Sequence, residues 1–196
     1  MSCSCCQKTK CKKRKKPKCP KPCLCCIDRP TGQPNVTRAE IEAVLARCRT
    51  CNGVLSAADL ATLVRAYFTP FNTSDTSIYE LFISPDFVTR PEIPDLPPGP
   101  EGLAIIVEEA HIFLPDFNIT IDQLVVCGDT AASRSTITGT APDGVSFVFA
   151  AADFFTFRNC QITDNFALVN ELSATEPELL AAALTTSSTR SRRGRF

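Results

Sequence analysis

The chain has 196 residues and a formal net charge of zero, yet its charges are separated along the sequence. Residues 1–27 contain nine basic and no acidic residues, whereas residues 28–189 contain all 21 acidic residues and eight arginines. Four more arginines lie in residues 190–196. Basic blocks of this kind contact phosphates, acidic lipids or acidic proteins, so nucleic acid or an acidic membrane is an expected partner of the tails.

No stretch of the chain approaches the ~18–20 apolar residues that a membrane-spanning helix needs. No apolar segment follows the basic N-terminus, so a secretory signal is not expected. These two features exclude an integral membrane protein and favour a cytoplasmic protein in a reducing compartment.

Eight of the twelve cysteines lie in the basic N-terminal segment. Residues 1–35 have few large apolar side chains, so we predict a disordered tail unless a metal, a cross-link or a surface orders it. Lysines beside thiols favour thiolates, and eight thiolates suffice for two tetrahedral zinc sites, in a pattern that resembles metallothionein. Palmitoylation, or disulfide cross-linking in an oxidised coat, is the alternative. The predicted zinc ligands are Cys3, Cys5, Cys6, Cys11, Cys19, Cys23, Cys25 and Cys26.

An extra helix is predicted over residues 36–53. Thr37 and Glu40 form a capping box at its start, and its apolar stripe contains Ile41, Val44 and Cys48. Cys48 is therefore interpreted as a core residue. Because few cysteines follow the tail, the body is not expected to be a disulfide scaffold.

Two further helices are predicted with a short strand between them. Ser56 begins the first with a capping box, and its apolar residues recur at helical spacing. A brief strand over residues 86–89 and a proline-rich linker over residues 90–100 follow. The next helix covers residues 100–114, with proline at its start.

From residue 117 to 172 the apolar period changes to two, which is typical of strands. Gly128-Asp129 and Asp143-Gly144 predict hairpin turns between these strands. Residues 145–157 are apolar on both faces, so helices should cover one face and a partner subunit the other, in a homodimer. The predicted fold class is α+β, with helices on a curved, mostly antiparallel sheet.

This body resembles the SnoaL-like polyketide cyclases of the NTF2-like superfamily over residues 59–172. The resemblance implies a cystatin-like cone and a domain at residues 54–175. The residues that follow, 176–196, predict a short helix and then a basic tail. The motifs that carry it are Pro100-Glu101-Gly102, Phe113-Leu114-Pro115-Asp116, Gly128-Asp129, residues 134–140, residues 153–157 and Gln161-Ile162.

The family's last strand carries an acid, a histidine, a tryptophan and then an aspartate that transfers protons. Here Asp164, Asn165, Phe166 and Asn170 occupy these positions. Asn170 cannot accept a proton near neutral pH, so the usual general base is missing. On a regular strand Asp164, Phe166 and Asn170 would share one face.

Two other carboxylates are therefore the candidate catalytic groups, Asp153 and Asp164. Asp153 shares its strand face with phenylalanines, and burial there would raise its pKa toward that of a useful base. A structural carboxylate bonded to backbone is the alternative. Arg134 would orient a carbonyl or anionic group, or pair with either aspartate.

The predicted pocket is completed by Phe166, Asn170, Tyr67 and His111. His111 is the one histidine of the sequence and lies at the flank of its helix's apolar stripe, so a boundary position is its alternative. The expected ligand is a small apolar carbonyl compound, bound without a cofactor in the domain. The expected function is an isomerase or cyclase, or else a non-catalytic dimeric module whose tail binds metal or cross-links.

Overall fold

The computed structural model describes residues 26–28 and 32–171. Seven of the predicted zinc ligands, Cys3 to Cys25, lie outside the described residues, as do the C-terminal helix and basic tail. Cys26 begins a short strand, Cys26–Asp28. These parts of the sequence analysis stay predictions.

Four α-helices form within the described residues: α1 (Arg38–Thr50), α2 (Ala57–Thr73), α3 (Tyr79–Phe82) and α4 (Gly99–Phe113). Both predicted capping boxes are present, Thr37 with Glu40 and Ser56 with Asp59. Each side chain accepts a hydrogen bond from the backbone N–H of the third helical residue, which otherwise has no intrahelical partner. The predicted helices are confirmed to within a few residues.

The described strands form one sheet: β1 (Cys26–Asp28), β2 (Ile83–Arg90), β3 (Asn118–Cys127), β4 (Thr130–Thr140), β5 (Ser146–Arg158) and β6 (Gln161–Glu171). Their order is β1-β3-β4-β5-β6-β2. Every neighbouring pair is antiparallel except β2 and β6, which are parallel. The α+β class with a mostly antiparallel sheet is confirmed.

The helices cover one face of this sheet, which we call the inner face. Alternate residues of β3, β4 and β5 are buried there, as the period of two requires. Asn72 at the end of α2 exchanges two hydrogen bonds with the backbone of Ile119, of 2.7 and 3.0 Å, and so fastens α2 to β3. The opposite, outer face exposes apolar side chains, including Phe154 (50%) and Leu168 (55%).

A disulfide between Cys48 and Cys160 joins α1 to the turn between β5 and β6. The sequence analysis did not anticipate this bond. Cys48 is buried as predicted, but it is covalently bonded to a residue 112 positions away.

None of the helices between residues 32 and 171 is both long and apolar enough to span a bilayer.

Candidate active site

Asp153 lies at the middle of β5 and points to the inner face, where it is 5% exposed. Its neighbours along β5 on this face are apolar: Phe149, Ala151, Phe155 and Phe157. Burial of an ionisable group among such side chains removes its hydration, which must be replaced by hydrogen bonds or by neutralisation.

A chain of three buried side chains holds one oxygen of this carboxylate. Asn165 of β6 donates from Nδ2 to Asp153 Oδ1 over 3.3 Å, and Tyr67 of α2 donates from Oη to Asn165 Oδ1 over 3.2 Å. Tyr79 donates in turn from Oη to the backbone oxygen of Tyr67 over 2.9 Å. The tyrosine hydroxyl fixes which end of the Asn165 amide faces the carboxylate.

The other carboxylate oxygen, Asp153 Oδ2, is buried and has no hydrogen-bond partner among the described residues. The hydroxyls of Ser133 and Ser135 on β4 are also buried and have no hydrogen-bond partner among the described residues. Ser133 lies directly opposite Asp153 in the β4–β5 register, and Ser135 is opposite Ala151. Buried polar atoms are rarely left unpaired, so a water or a polar ligand group is expected between these side chains.

Burial raises the pKa of Asp153 to about 7, and the hydrogen bond from Asn165 opposes this rise only in part. Near neutral pH both protonation states are therefore populated. Burial, followed by the negative charge of Asp153, raises the pKa of Tyr67 well above its ordinary value, so Tyr67 remains a neutral donor. This arrangement can accept a proton from a bound molecule and return it.

The model of the SnoaL-like domain family matches residues 64–165, which begin within α2, include β2 to β5 and the first half of β6, and contain the Asp153 network. The chain belongs to the SnoaL-like family. Its matched region includes Tyr67, Asp153 and Asn165, while α1 precedes it. No curated protein matches the chain.

Solved structures similar to this SnoaL-like chain share its fold. TsrD from Streptomyces laurentii is 21% identical, covering 60% of this chain and 92% of that protein, with a TM-score of 0.55. AclR, a putative hydroxylase from Streptomyces galilaeus, is 18% identical (68% and 99% covered, TM-score 0.52). A SnoaL-like polyketide cyclase from Agrobacterium tumefaciens is 17% identical (57% and 91% covered, TM-score 0.51). The NTF2-like fold is thereby confirmed.

Three predicted site residues of β6 face away from Asp153 in this SnoaL-like domain. Asp164 accepts a hydrogen bond from Arg90 over 2.7 Å, Phe166 packs against Phe154, and Asn170 is exposed opposite Ala150. A register shift in the β5–β6 pairing, after Thr156, is the cause. Ile162 points inward before the shift. After it Asn165 points inward and the even-numbered residues from Asp164 onward point outward, so the face that the three residues were predicted to share is the outer one.

Arg134 likewise lies on the outer face, opposite Ala152 rather than Asp153. Its side chain is 66% exposed and lies 3.9 Å from Asp122, so it neither orients a ligand beside Asp153 nor pairs with it. The placement of Arg134 in an inner pocket was wrong, because Ser133 and Ser135 occupy the inward positions of β4.

Tyr67 and His111 are the predicted pocket residues that reach the inner side. His111 lies near the end of α4, with its ring 6.0 Å from that of Phe117, and its Nε2 is buried without a partner among the described residues. Asn165 was missed as a site residue, although it occupies the family's histidine position. That position was the one signal in the sequence that pointed to it.

Replacing Asn165 with leucine is expected to raise the pKa of Asp153 above its value of about 7, because the donor that stabilises the carboxylate is lost. The measurement is a pH titration of the Asp153 side-chain carboxyl carbon by NMR. Asn170→Leu on the same strand is the matched control, since Asn170 is exposed on the outer face. An unchanged pKa of Asp153 in the Asn165 variant would mean that the hydrogen bond from Asn165 does not stabilise the carboxylate.

Proposed function

We propose that the SnoaL-like domain catalyses proton transfer at the carbon next to a carbonyl group in a small apolar compound, as an isomerase or cyclase. The observation that supports this is the unpaired Oδ2 of buried Asp153, in a carboxylate whose pKa is about 7. A general base works best when its pKa lies near the working pH, and burial in an active site commonly shifts a carboxyl pKa in this direction.

In this mechanism the Asp153 carboxylate removes a proton from the α-carbon of the substrate. The electrons of the broken C–H bond move into the C–C bond and onto the carbonyl oxygen, which becomes an enolate. The hydroxyls of Ser133 and Ser135 supply hydrogen bonds to that oxygen, since both lack partners among the described residues. Protonated Asp153 then returns the proton to carbon in an isomerase. In a cyclase the enolate carbon attacks a second carbonyl group, whose C=O π bond opens to an alkoxide, and Asp153 gives its proton to that alkoxide.

The aspartate that the family carries on the last strand is not required in this mechanism. Asn170 lies at that position, exposed on the outer face, while Asp153 supplies the carboxylate from β5. The chemistry needs no cofactor in the domain. Zinc on the N-terminal cysteines remains a separate proposal about the tail.

Hydrogen–deuterium exchange at the α-carbon of 1-tetralone, a neutral two-ring ketone, tests the proposal with full-length protein in D₂O. Asp153→Asn is expected to reduce the protein-dependent exchange rate by about 100-fold or more, the range for losing a general base. Asp164→Asn is the matched control, because Asp164 is bonded to Arg90 on the outer face. Equal rates for the wild type and the Asp153 variant would refute catalysis by Asp153.

A non-catalytic dimeric module is the second candidate. The outer face favours a homodimer in either case, because Phe154, Phe166 and Leu168 are exposed there by 50%, 39% and 55%. Oligomeric state therefore does not separate the two candidates, whereas the exchange assay does.

A further inference from the structure

Three cysteines meet where α1 ends beside the β5–β6 turn, and we call them the cysteine cluster. Cys48 lies in the last turn of α1, Cys51 is the C-cap residue of the same helix, and Cys160 lies in the turn. Cys48 and Cys160 are bonded, with 6.3 Å between their Cα atoms. Residues three apart on a helix have Cβ atoms about 5–6 Å from each other, so Cys51 lies next to this bond. The Cys160 Sγ also lies 3.4 Å from the backbone oxygen of Gly53, two residues after Cys51.

Exposure to solvent separates the members of this cluster. Cys48 and Cys160 are buried, whereas Cys51 is half-buried. Cys51 is disulfide-bonded as well, and its partner is neither Cys48 nor Cys160, since these two are bonded to each other. A small thiol in solution therefore reaches the Cys51 bond more easily than the buried bond between Cys48 and Cys160.

Residues 1–26 hold the cysteines that remain for a bond to Cys51. They contain eight of the twelve cysteines, and Cys127 is the only other one outside the cluster. Cys127 ends β3 directly after Val126, which is buried on the inner face, so alternation puts Cys127 on the outer face, away from the helices. β1 begins at Cys26, in register with Val126, so the chain before it reaches the sheet at the end that also carries the β5–β6 turn.

The turn that holds Cys160 has a backbone that suits glycine better than cysteine. Asn159 and Cys160 are the two residues between β5 and β6, and their φ values are 50° and 64°. A two-residue hairpin turn with both φ values positive accepts asparagine at its first position and favours glycine at its second. A cysteine held in this left-handed conformation points to a role for its sulfur, since backbone strain of this kind accumulates at functional sites.

We propose that the cysteine cluster is a thiol–disulfide exchange site: Cys51 joins the N-terminal segment to the domain, and its release moves the Cys48 bond from Cys160 to Cys51. The cysteines at 48 and 51 have the Cys-x-x-Cys spacing that is found in redox-active disulfides. After the exchange α1 is no longer bonded to the β5–β6 turn. The exchange does not depend on the reaction proposed for Asp153.

Each step exchanges one sulfur–sulfur bond for another. The thiolate of a low-molecular-weight thiol such as glutathione attacks the N-terminal sulfur bonded to Cys51, that S–S bond breaks, and Cys51 leaves as a thiolate. The Cys51 thiolate then attacks the Cys48 Sγ and a bond between these two forms. The electron pair of the broken bond stays on Cys160, which takes a proton from water. The number of disulfides is unchanged, because glutathione ends on the N-terminal segment as a mixed disulfide, so no oxidant is needed.

Peptide mapping of the oxidised full-length protein, treated with reduced glutathione and quenched with N-ethylmaleimide at intervals, tests this exchange. Trypsin cleaves after Arg49, between Cys48 and Cys51, so mass spectrometry without reduction identifies each linked pair of peptides. Before treatment the Cys51 peptide is expected to be linked to a peptide from residues 1–26. During treatment the pair that links Cys48 to Cys51 should appear while Cys160 becomes labelled by N-ethylmaleimide.

Cys51→Ser removes the attacking thiolate. Loss of the bond between Cys48 and Cys160 in glutathione is then expected to slow at least about tenfold, because glutathione itself must enter the core. Cys127→Ser on the outer face is the matched control and should leave this rate unchanged. A Cys51 peptide that is unlinked or linked to Cys127, or the absence of a Cys48–Cys51 pair during treatment, overturns the proposal. Equal rates in the wild type and in Cys51→Ser overturn it as well.

Discussion

Replacing Asp153 with asparagine is expected to make the protein more stable above pH 7, by up to about 4 kcal/mol in the free energy of unfolding. Burial raises the pKa of this carboxyl from 3.8 to about 7 in the folded protein, with the Asn165 hydrogen bond opposing the rise. Each pKa unit corresponds to about 1.4 kcal/mol of difference between folded and unfolded states. Asparagine has a similar shape, can accept the Asn165 bond and carries no charge.

The sign of the pH dependence follows from proton binding. Between about pH 4 and pH 7 the unfolded chain has lost the Asp153 proton while the folded protein retains it, so wild-type stability falls as pH rises through this window. Above about pH 7 both states are ionised, and the contribution of Asp153 no longer changes. The difference between variant and wild type should therefore grow from pH 4 to 7 and then level off.

Urea unfolding at a series of pH values from 4 to 9 measures this difference. Other carboxylates change the free energy of unfolding at acidic pH. Burial raises the pKa of Asp59, but hydrogen bonds from Arg47 and Ser56 outweigh it and lower this pKa, so the stabilisation by Asp59 is lost below about pH 4. Subtracting the wild type removes such shared effects. Asp164→Asn is again the control, with a change of about 1 kcal/mol or less expected for an ion pair at the surface. Parallel stability curves for wild type and Asp153→Asn would contradict the buried, perturbed carboxylate.

A more stable and less active Asp153 variant would also be informative about function. An ionised carboxylate that destabilises the fold is retained more readily when it performs a reaction. A variant that gains stability and loses no exchange activity would favour the non-catalytic module instead.

Local patterns in the sequence were sufficient to predict most of the helices and strands. The capping residues Thr37 and Ser56 lie next to the backbone groups that they satisfy, so their pattern is readable without the rest of the chain. That Asp153 shares a face with phenylalanines followed from strict alternation along β5, whereas the sequence did not say which face is the inner one. The family resemblance then supplied the arrangement of the sheet.

Features that depend on distant partners were not predictable in the same way. One register shift between β5 and β6 moved Asp164 and Asn170 to the outer face, and nothing in the local sequence of β6 marks it. Asn165 gained its role through Tyr67, a residue 98 positions away in the sequence.

Removing the disulfide between Cys48 and Cys160 is expected to lower the free energy of unfolding by about 4 kcal/mol. The bond closes a loop across a sequence separation of 112, and a loop of this length restricts the unfolded chain by roughly 4–5 kcal/mol. Both cysteines are buried, at 7% and 4% exposure, so the bond lies inside the core. It ties α1, which precedes the family match, to the β5–β6 turn.

The measurement compares urea unfolding of oxidised wild type with that of a Cys48→Ala, Cys160→Ala double variant. A reductant alone is a poorer test, because Cys51 is also disulfide-bonded and would be reduced as well. Each alanine removes only a sulfur atom, and Arg47 still bonds to Asp59 over 2.9 Å to hold α1 against α2. Equal stability of the two proteins would mean that a bond between Cys48 and Cys160 does not stabilise the fold.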